Sequence, residues 1–274
     1  MPLSIIIPAY NEAERLGPNL GPVLAFLGAR YPDYELIIVD DGSTDGTAEA
    51  VAAALAGEPR ARLIRYQPNR GKGYAVRAGV LASTGDPVLF MDADLSTPLE
   101  EGDRLTDVVK VAEGQERNLS TPLEEIPRLL ERLAGADVVI GSRGLPEAEI
   151  RVRPPLFRRL ASWVFDQVKY ALVGLRRFQD TQCGFKAYRG PVARQLFALG
   201  RVDRFMFDVE ILFLAERAGL RIVEMPVAWA DRPGSKVRFW EGVVNMFRDL
   251  GRIRRLHPGR VVIDPAVEVG RPGP

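Results

Sequence analysis

Apolar and polar residues alternate in blocks along the first half of the chain. Five apolar runs are short enough to be strands buried on both faces, and they cover residues 3–7, 36–39, 63–66, 88–91 and 138–140. Stretches with helical periodicity lie between them, at residues 12–27, 44–55, 73–81 and 123–133. Strands that alternate with helices predict a parallel, doubly wound sheet with right-handed crossovers.

The second half of the chain is less regular. Helices are predicted at residues 156–175, 191–199, 207–218 and 236–256, and strands at residues 185–188 and 220–228. The first of these helices mixes basic and aromatic side chains, and the last has an apolar stripe. The expected fold is therefore α/β, with a doubly wound mixed sheet, mostly parallel, and C-terminal amphipathic helices. Residues 257–274, rich in Pro and Gly, are expected to form an irregular and loosely held tail.

Composition limits the function classes. The 274 residues carry 37 Lys+Arg and 36 Asp+Glu, so the net charge of +1 gives no reason to expect a nucleic-acid partner. No stretch approaches the roughly 20 consecutive apolar residues of a membrane span. The N-terminus leads into the first strand without a basic region or a cleavage site, so we expect no signal peptide and a cytoplasmic protein.

The chain has a single cysteine, Cys183, and a single histidine, His257. These counts exclude an intrachain disulfide, a His-rich zinc site and a His-centred catalytic triad. Any bound metal must be held mainly by carboxylates, which favours Mg²⁺ or Mn²⁺.

Polar clusters follow four of the predicted strands, at residues 8–12, 40–45, 69–73 and 92–94. Because ligands bind outside the carboxyl ends of the strands in such sheets, we expect these clusters to meet at one crevice. Asp92 and Asp94 are two residues apart at a strand end, so both carboxylates can reach one cation, and such a metal completes its shell with substrate phosphates. A solvated turn is the alternative interpretation of this pair.

Other residues of the clusters suit a nucleotide. Asp40 and Asp41 offer acceptors for ribose hydroxyls or a base N–H, although capping of the next helix explains part of this motif. Lys72 lies at a helix start, where a cation and backbone N–H groups can meet a phosphate. The sequence lacks Gly-x-Gly-x-x-Gly after the first strand and has no Gly-x-Ser-x-Gly, which counts against a dinucleotide-binding dehydrogenase and a serine hydrolase.

A seven-residue segment occurs twice. Residues 95–101 and 119–125 are both Leu-Ser-Thr-Pro-Leu-Glu-Glu, separated by a spacer at residues 102–118. Thr-Pro-Leu-Glu is a good helix start, so a tandem duplication or an insertion that restored the helix start explains the repeat. It is either a tolerated surface excursion or a change to the rim of the site, because it begins just after Asp94.

Taken together, the motifs resemble the signature of family 2 inverting glycosyltransferases with the GT-A fold. The early motifs are Pro8-Ala-Tyr-Asn-Glu12, Val39-Asp-Asp-Gly-Ser-Thr-Asp45, Asn69-Arg-Gly-Lys-Gly73, Asp92-Ala-Asp94 and Gly141-Ser-Arg143. Three later segments resemble the polyprenyl-phosphate (dolichyl-phosphate) glucosyltransferases in particular: Asp180-Thr-Gln-Cys-Gly-Phe-Lys186, Phe207-Asp-Val-Glu210 and Arg232-Pro-Gly-Ser-Lys236. The resemblance implies a GT-A-like catalytic domain over residues 1–256, interrupted by the 102–118 spacer.

The resemblance also implies residue roles. The nucleotide sugar would be bound by Pro8, Tyr10, Glu12, Asp40, Asp41, Lys72, Asp92, Arg232 and Lys236. Asp92 and Asp94 would hold Mg²⁺ or Mn²⁺, and Arg143, Arg151 and Arg153 would contact the acceptor. The catalytic residues would be Asp94, Arg143 and Asp208. A structural role is equally open for Glu210, and Cys183 is expected to be a packed residue.

The implied reaction is inverting transfer of glucose from UDP-glucose to a polyprenyl phosphate, either dolichyl or undecaprenyl. GDP-mannose as donor, a soluble acceptor, or a nucleotide-sugar-binding protein with little turnover are the alternatives. Peripheral contact with the cytoplasmic face of a membrane is expected from the lipid acceptor and the amphipathic helices. The oligomeric state, including a homo-oligomer, stays open. Two departures from the family pattern are the inserted spacer and the absence of membrane spans.

Overall fold

The computed structural model describes residues 2–93, 123–148, 150–152, 156–230 and 239–267. Within residues 150–152, 156–161, 229–230 and 239–243 it describes the backbone alone. Asp94, the 102–118 spacer and most of the repeated segment therefore lie outside the described residues.

A seven-stranded mixed sheet forms the centre of the molecule. Its strands are β1 (Ser4–Ala9), β2 (Glu35–Asp40), β3 (Ala61–Arg65), β4 (Val88–Met91), β5 (Val138–Ser142), β7 (Phe185–Tyr188) and β8 (Ile222–Pro226). They lie in the order β3-β2-β1-β4-β7-β5-β8, and β7 runs antiparallel to both of its neighbours while the other pairs are parallel. The predicted α/β fold with a mostly parallel mixed sheet is confirmed.

Eight helices accompany the sheet in the described part of the chain. They are α1 (Ala13–Arg30), α2 (Thr47–Ala54), α3 (Lys72–Ala82), α4 (Glu125–Leu133), α5 (Leu156–Leu172), α6 (Gly190–Leu199), α7 (Phe207–Arg217) and α8 (Phe239–Leu256). Helix α2 begins three residues later than predicted, because Asp45 accepts the Thr47 N–H at 3.1 Å and Gly46 takes a positive φ of 84°. Among the helices described, none is long and apolar enough to cross a bilayer.

The sheet separates two apolar layers, because successive side chains of a strand point to opposite faces. Ile6, Val39 and Phe90 face a layer formed with α3, α6 and α7. Ile5, Ile38 and Met91 face the opposite layer, formed with α1 and α4. All of these side chains are fully buried, which explains why the strands are continuous apolar runs in the sequence.

One predicted strand in the second half of the chain needs correction at its boundaries, and a two-stranded sheet was not predicted. The strand predicted at 220–228 is shorter in the structure, where β8 covers Ile222–Pro226; a separate short strand, β9 (Trp229–Ala230), follows it outside the main sheet. Strand β9 pairs with β6 (Ile150–Val152), which was not predicted. A three-residue strand has too few positions to show a period of two, so the pattern carries little signal for it.

The segment after α8 is irregular and makes hydrogen bonds to α6 and α7. Within the described residues 257–267 there is no helix or strand. Arg217 nevertheless donates to the carbonyls of His257 and Gly259, and Val261 is buried against the core. Gln195 Nε2 also donates to Asp264 O at 2.6 Å. Side chains of α6 and α7 therefore supply hydrogen bonds to this part of the predicted tail, and the expectation that residues 257–274 are loosely held stays a prediction.

Candidate active site

The first two polar clusters are joined at the ends of β1 and β2. Asn11 lies in the left-handed region with φ 55°, and its side-chain carbonyl accepts the Thr44 N–H at 2.9 Å. In return, the Asn11 N–H donates to Ser43 Oγ at 2.9 Å, and the Glu12 N–H donates to Thr47 Oγ1 at 2.8 Å. The loops after adjacent strands therefore form one surface, as the sequence predicted.

Asp41 joins the third cluster to the second. Its carboxylate accepts hydrogen bonds from Tyr66 Oη, Asn69 Nδ2 and the backbone N–H groups of Arg70 and Gly71, all at 2.8 Å. Gly71 has φ 106°, and a side chain there would press on the Asp203 backbone. Since both oxygens of Asp41 hold the loop that leads into α3, its contacts are structural here, and its nucleotide-binding role stays a prediction.

Asp40 presents an unsatisfied oxygen. Its side chain is fully buried at the end of β2, and Oδ1 accepts the Ser43 N–H at 3.0 Å. Oδ2 accepts no hydrogen bond from the residues that the structure describes, although Arg65 Nε lies 3.5 Å away. A buried acceptor without a hydrogen bond is rare in proteins, so this oxygen is suited to receive an N–H from a ligand.

Asp92 follows β4, the strand that pairs with β1. Its N–H donates to Gly184 O at 3.0 Å, and its Oδ1 lies 2.6 Å from Lys72 Nζ. A Cβ at position 184 would overlap the Asp92 carboxylate in its present position, so glycine lets that carboxylate lie where β7 approaches β4. The carboxylate is thereby held at the open end of the sheet, about one-third exposed.

A second lysine–aspartate pair is buried close by. Lys186 Nζ, on β7, lies 2.5 Å from Asp208 Oδ1 and donates to Cys183 O at 2.5 Å. Burial raises the pKa of Asp208, and the positive charges of Lys186 and Lys72 oppose that rise. Asp208 is therefore enclosed with a cation rather than exposed to an acceptor, and its predicted catalytic role stays a prediction.

Arg143 lies at the end of β5 and is fixed by Asp180. Its Nε and Nη2 donate to the two carboxylate oxygens of Asp180 at 2.5 and 3.0 Å. Burial by itself raises the pKa of Asp180, but the charge and hydrogen bonds of Arg143 outweigh burial and lower it to about 2. Glu224 accepts the Asp180 N–H at 3.1 Å, which anchors the loop.

Comparison with known proteins decides the family. Residues 4–119 match the model for glycosyl transferase family 2. The dolichyl-phosphate beta-glucosyltransferase of Drosophila melanogaster is 37% identical over 259 residues, which are 90% of this chain and 73% of that protein. The human enzyme of the same name is 34% identical over 260 residues, covering 92% and 74%. The chain belongs to glycosyl transferase family 2.

Solved structures support the fold of this glycosyltransferase. Glucosyl-3-phosphoglycerate synthase from Mycobacterium tuberculosis, solved with Mn²⁺, UDP and phosphoglyceric acid, superposes with a TM-score of 0.60 at 20% identity. The match covers 96% of this chain and 80% of the synthase. A structure of that synthase with Mg²⁺ and UDP gives a TM-score of 0.61. At this level of identity the likeness shows the shared GT-A-like fold alone.

The oxygen ligands available in this glycosyltransferase fit a hard divalent cation. Asp92 supplies a partly exposed carboxylate at a strand end, and Mg²⁺ or Mn²⁺ binds through one or two such groups and substrate phosphates. Asp94, Arg153, Arg232 and Lys236 lie outside the described residues, and Arg151 is described by its backbone in β6 alone. Pro8 lies within β1, while Tyr10 is exposed and Glu12 half-buried just before α1. Their predicted roles stay predictions.

Sequence reasoning missed Lys186, Gly184 and Asp180 as individual site residues, although the motif that contains them was recognised. A lysine in the middle of a four-residue apolar strand is the signal that could have found Lys186, because a buried lysine requires an anion.

The contacts of Glu210 are structural. Its side chain is buried, accepts the backbone N–H groups of Arg201 and Val202 at 2.9 Å, and lies 2.7 Å from His257 Nε2. Burial raises the pKa of Cys183 to about 12, so it is a packed thiol.

Proposed function

We propose that this glycosyltransferase transfers glucose from UDP-glucose to a polyprenyl phosphate of the dolichyl type, with inversion at the anomeric carbon. The relatives named dolichyl-phosphate beta-glucosyltransferase match more than nine-tenths of the chain in Dictyostelium discoideum and human, at 33% and 34% identity. The use of a nucleotide-sugar donor is supported by Asp40 Oδ2, which lies at the end of β2 without a hydrogen bond from the described residues. Strand β2 is two strands from β4, which leads to Asp92, in the order β2-β1-β4.

Asp40 is proposed to recognise the base. The uracil ring offers an N3–H donor, and the buried Oδ2 offers an acceptor that the described residues leave without a hydrogen bond. Guanine also offers a ring N–H, so the size of the surrounding space must discriminate between UDP and GDP. Asp92, together with Asp94, is proposed to hold Mn²⁺ or Mg²⁺. When bound, such a cation stabilises the negative charge that develops on the departing diphosphate.

Arg143 is proposed to contact the acceptor phosphate. A phosphate monoester is already ionised at neutral pH, so the acceptor needs positioning more than deprotonation. Asp180 fixes the plane of the Arg143 guanidinium through two hydrogen bonds, which suits this positioning. The burial of Asp208 against Lys186 also favours a phosphate acceptor. An acceptor hydroxyl would need a general base, and that base would have to be accessible.

A lipid acceptor requires contact with a membrane surface, and we propose α5 and α8 for it. The two helices pack together through Phe165 and Phe247, whose ring centroids are 6.4 Å apart. Trp163 on α5 and Val244 on α8 are 60% and 57% exposed, and the last turn of α8 carries Arg254 and Arg255. Exposed apolar side chains on helices that also carry cations favour peripheral binding to an anionic bilayer, here on its cytoplasmic face.

The test is nucleotide release by the purified protein in mild detergent. We expect UDP release from UDP-glucose that requires both polyprenyl phosphate and Mn²⁺ or Mg²⁺, and that is lost on chelation and in Asp92→Asn. Asp40→Asn, which swaps an acceptor oxygen for an amide at the same size, should weaken UDP binding without unfolding the protein. Glu58→Gln is the matched control, because it makes the same carboxylate-to-amide change in the loop before β3, at the opposite edge of the sheet from the carboxyl ends of the strands.

Other outcomes would redirect the proposal. Lipid-dependent release of GDP from GDP-mannose, with UDP-glucose inert, would replace the glucosyl assignment by a mannosyl one. Release that depends on a soluble phosphorylated acceptor instead of the lipid would remove the membrane from the mechanism. Binding of UDP with metal but no turnover of either donor would indicate a nucleotide-sugar-binding protein.

A further inference from the structure

The ion pair between Lys72 and Asp92 involves the carboxylate that is proposed above to hold the metal. Lys72 Nζ lies 2.6 Å from Asp92 Oδ1, and the two side chains are 23% and 32% exposed. The ammonium group also lies 5.5 Å from the centroid of the Phe90 ring, on the strand that leads to Asp92. A divalent cation bound to Asp92 requires direct contact with a carboxylate oxygen at about 2.1 Å. Two cations on one carboxylate repel each other, so metal and ammonium compete for Asp92.

The backbone on both sides of this pair is fixed. The N–H of Asp92 is held by Gly184 O at 3.0 Å, and the Asp92 carboxylate occupies the space that a side chain at position 184 would fill. On the other side, the Gly71 N–H is held by Asp41, and the Tyr74 N–H donates to Asp203 O at 3.0 Å. Because both backbones are held, the longer four-carbon side chain of Lys72 is the partner that can move further.

We propose that Lys72 is an exchangeable counter-ion of the metal site. In the empty enzyme its ammonium pairs with Asp92, and when metal and donor bind it moves from Asp92 to the donor's diphosphate. This inference rests on the proposed function, since it takes Asp92 as a metal ligand and a nucleoside diphosphate as the ligand. Lys72 is the first residue of α3, so the helix N-terminus favours an anion at the place to which the side chain turns.

Exchange predicts two effects of opposite sign from one substitution. In Lys72→Gln, Mn²⁺ no longer displaces an ammonium group, so it should bind the UDP-free protein about fivefold more tightly than the wild type, as expected for loss of a partly exposed competing ion pair. UDP in saturating Mn²⁺ should bind Lys72→Gln at least about tenfold more weakly, because a charge-assisted contact to the diphosphate is missing.

Isothermal titration calorimetry of the full chain, first with Mn²⁺ alone and then with UDP at saturating Mn²⁺, measures both effects without turnover. Lys72→Arg keeps a cation and should show no gain in Mn²⁺ affinity. Arg70→Gln removes one positive charge from the same loop, where Arg70 stacks 3.6 Å from the centroid of Tyr74, and should leave both affinities within about twofold of the wild type. Circular dichroism checks that each variant is folded.

The outcomes separate this inference from the proposed function. A wild type that binds Mn²⁺ and UDP, with Lys72→Gln unchanged or weaker for Mn²⁺ alone, would overturn the exchange and leave the proposed function intact. Equal gains in Mn²⁺ affinity in Lys72→Gln and Arg70→Gln would reduce the effect to net charge and also overturn it. A wild type that binds neither Mn²⁺ nor UDP, and releases no UDP with lipid, would overturn both.

Discussion

Two lysine–aspartate pairs lie near one aromatic ring and differ mainly in burial. Lys186 Nζ and Lys72 Nζ are 5.6 and 5.5 Å from the centroid of Phe90, and their distances to Asp208 and Asp92 are 2.5 and 2.6 Å. Lys186 is fully buried and Asp208 almost so, whereas Lys72 and Asp92 are partly exposed. Each pair has the same chemical groups, so solvent access decides what each does.

The difference shows how a fold divides structural and functional charges. The Lys72 and Asp92 side chains are both partly exposed, so separating that pair is expected to cost little, as the proposed exchange requires. No solvent reaches the Lys186–Asp208 pair, and separating it would leave a charge unpaired in the core. Arg143 and Asp180 are intermediate, with a buried carboxylate that fixes a guanidinium which is one-third exposed.

Breaking the buried pair should have the largest effect. Lys186→Met leaves Asp208 without its cation in the core, and we expect the free energy of unfolding to fall by about 3–5 kcal/mol in urea denaturation. The double variant Lys186→Met/Asp208→Leu should regain much of the loss, because both charges are then gone. Arg128→Gln, which breaks an exposed i,i+3 pair with Glu125, is the control and should cost about 0.5 kcal/mol at most. A loss below about 1 kcal/mol in Lys186→Met would contradict the contrast between the pairs.

The intermediate pair should give a smaller, pH-dependent effect. Since the pKa of Asp180 is about 2 in the folded protein against 3.8 ordinarily, its contribution is present above about pH 4 and is lost as the pH falls toward 2. We expect Asp180→Asn to be less stable than the wild type by about 2 kcal/mol at pH 6, and this difference to shrink between pH 4 and pH 2. Urea denaturation across this range measures the difference. A difference that stays constant with pH would exclude ionised Asp180 as its source.

A side chain placed against the Asp92 carboxylate should lower stability less than the two changes above, but it should weaken Mn²⁺ binding. In Gly184→Ala the added methyl group overlaps the Asp92 carboxylate, which moves aside because its end is flexible and partly exposed. We expect a loss of about 1 kcal/mol in unfolding free energy, at the low end for overpacking, with Mn²⁺ affinity reduced at least about tenfold. Gly135→Ala, where a Cβ has nothing within 4 Å, is the matched control. Unchanged Mn²⁺ affinity would mean that the carboxylate position set by Gly184 is irrelevant to binding.

Removing the exposed lysine should have the smallest effect on stability. Lys72→Gln breaks a pair in which both side chains are partly exposed, so we expect the free energy of unfolding to change by less than about 1 kcal/mol. Thermal or urea unfolding measured beside Lys186→Met gives the comparison directly. Similar losses in the two variants would show that burial does not distinguish the pairs.

The sequence by itself determined the class of the sheet, the approximate positions of its strands and the meeting of the polar clusters. Strand β4 was predicted at its observed bounds. Four apolar residues followed by Asp92 form a local pattern, which can be recognised without knowing which strands lie beside it. The clusters after β1, β2 and β3 meet because the carboxyl ends of adjacent parallel strands share one edge. Their motifs also identified the family.

Only the tertiary structure decided which charges are buried and which pairs form. Strand β7 lies antiparallel between β4 and β5, and this placement brings Gly184 and Lys186 beside Asp92 and Asp208. Asp180 reaches Arg143 across 37 positions of sequence. Strand pairing and burial depend on contacts between distant segments, whereas periodicity reports only on neighbours along the chain. The same two residue types therefore form a fixed pair at one place and an exchangeable pair at another.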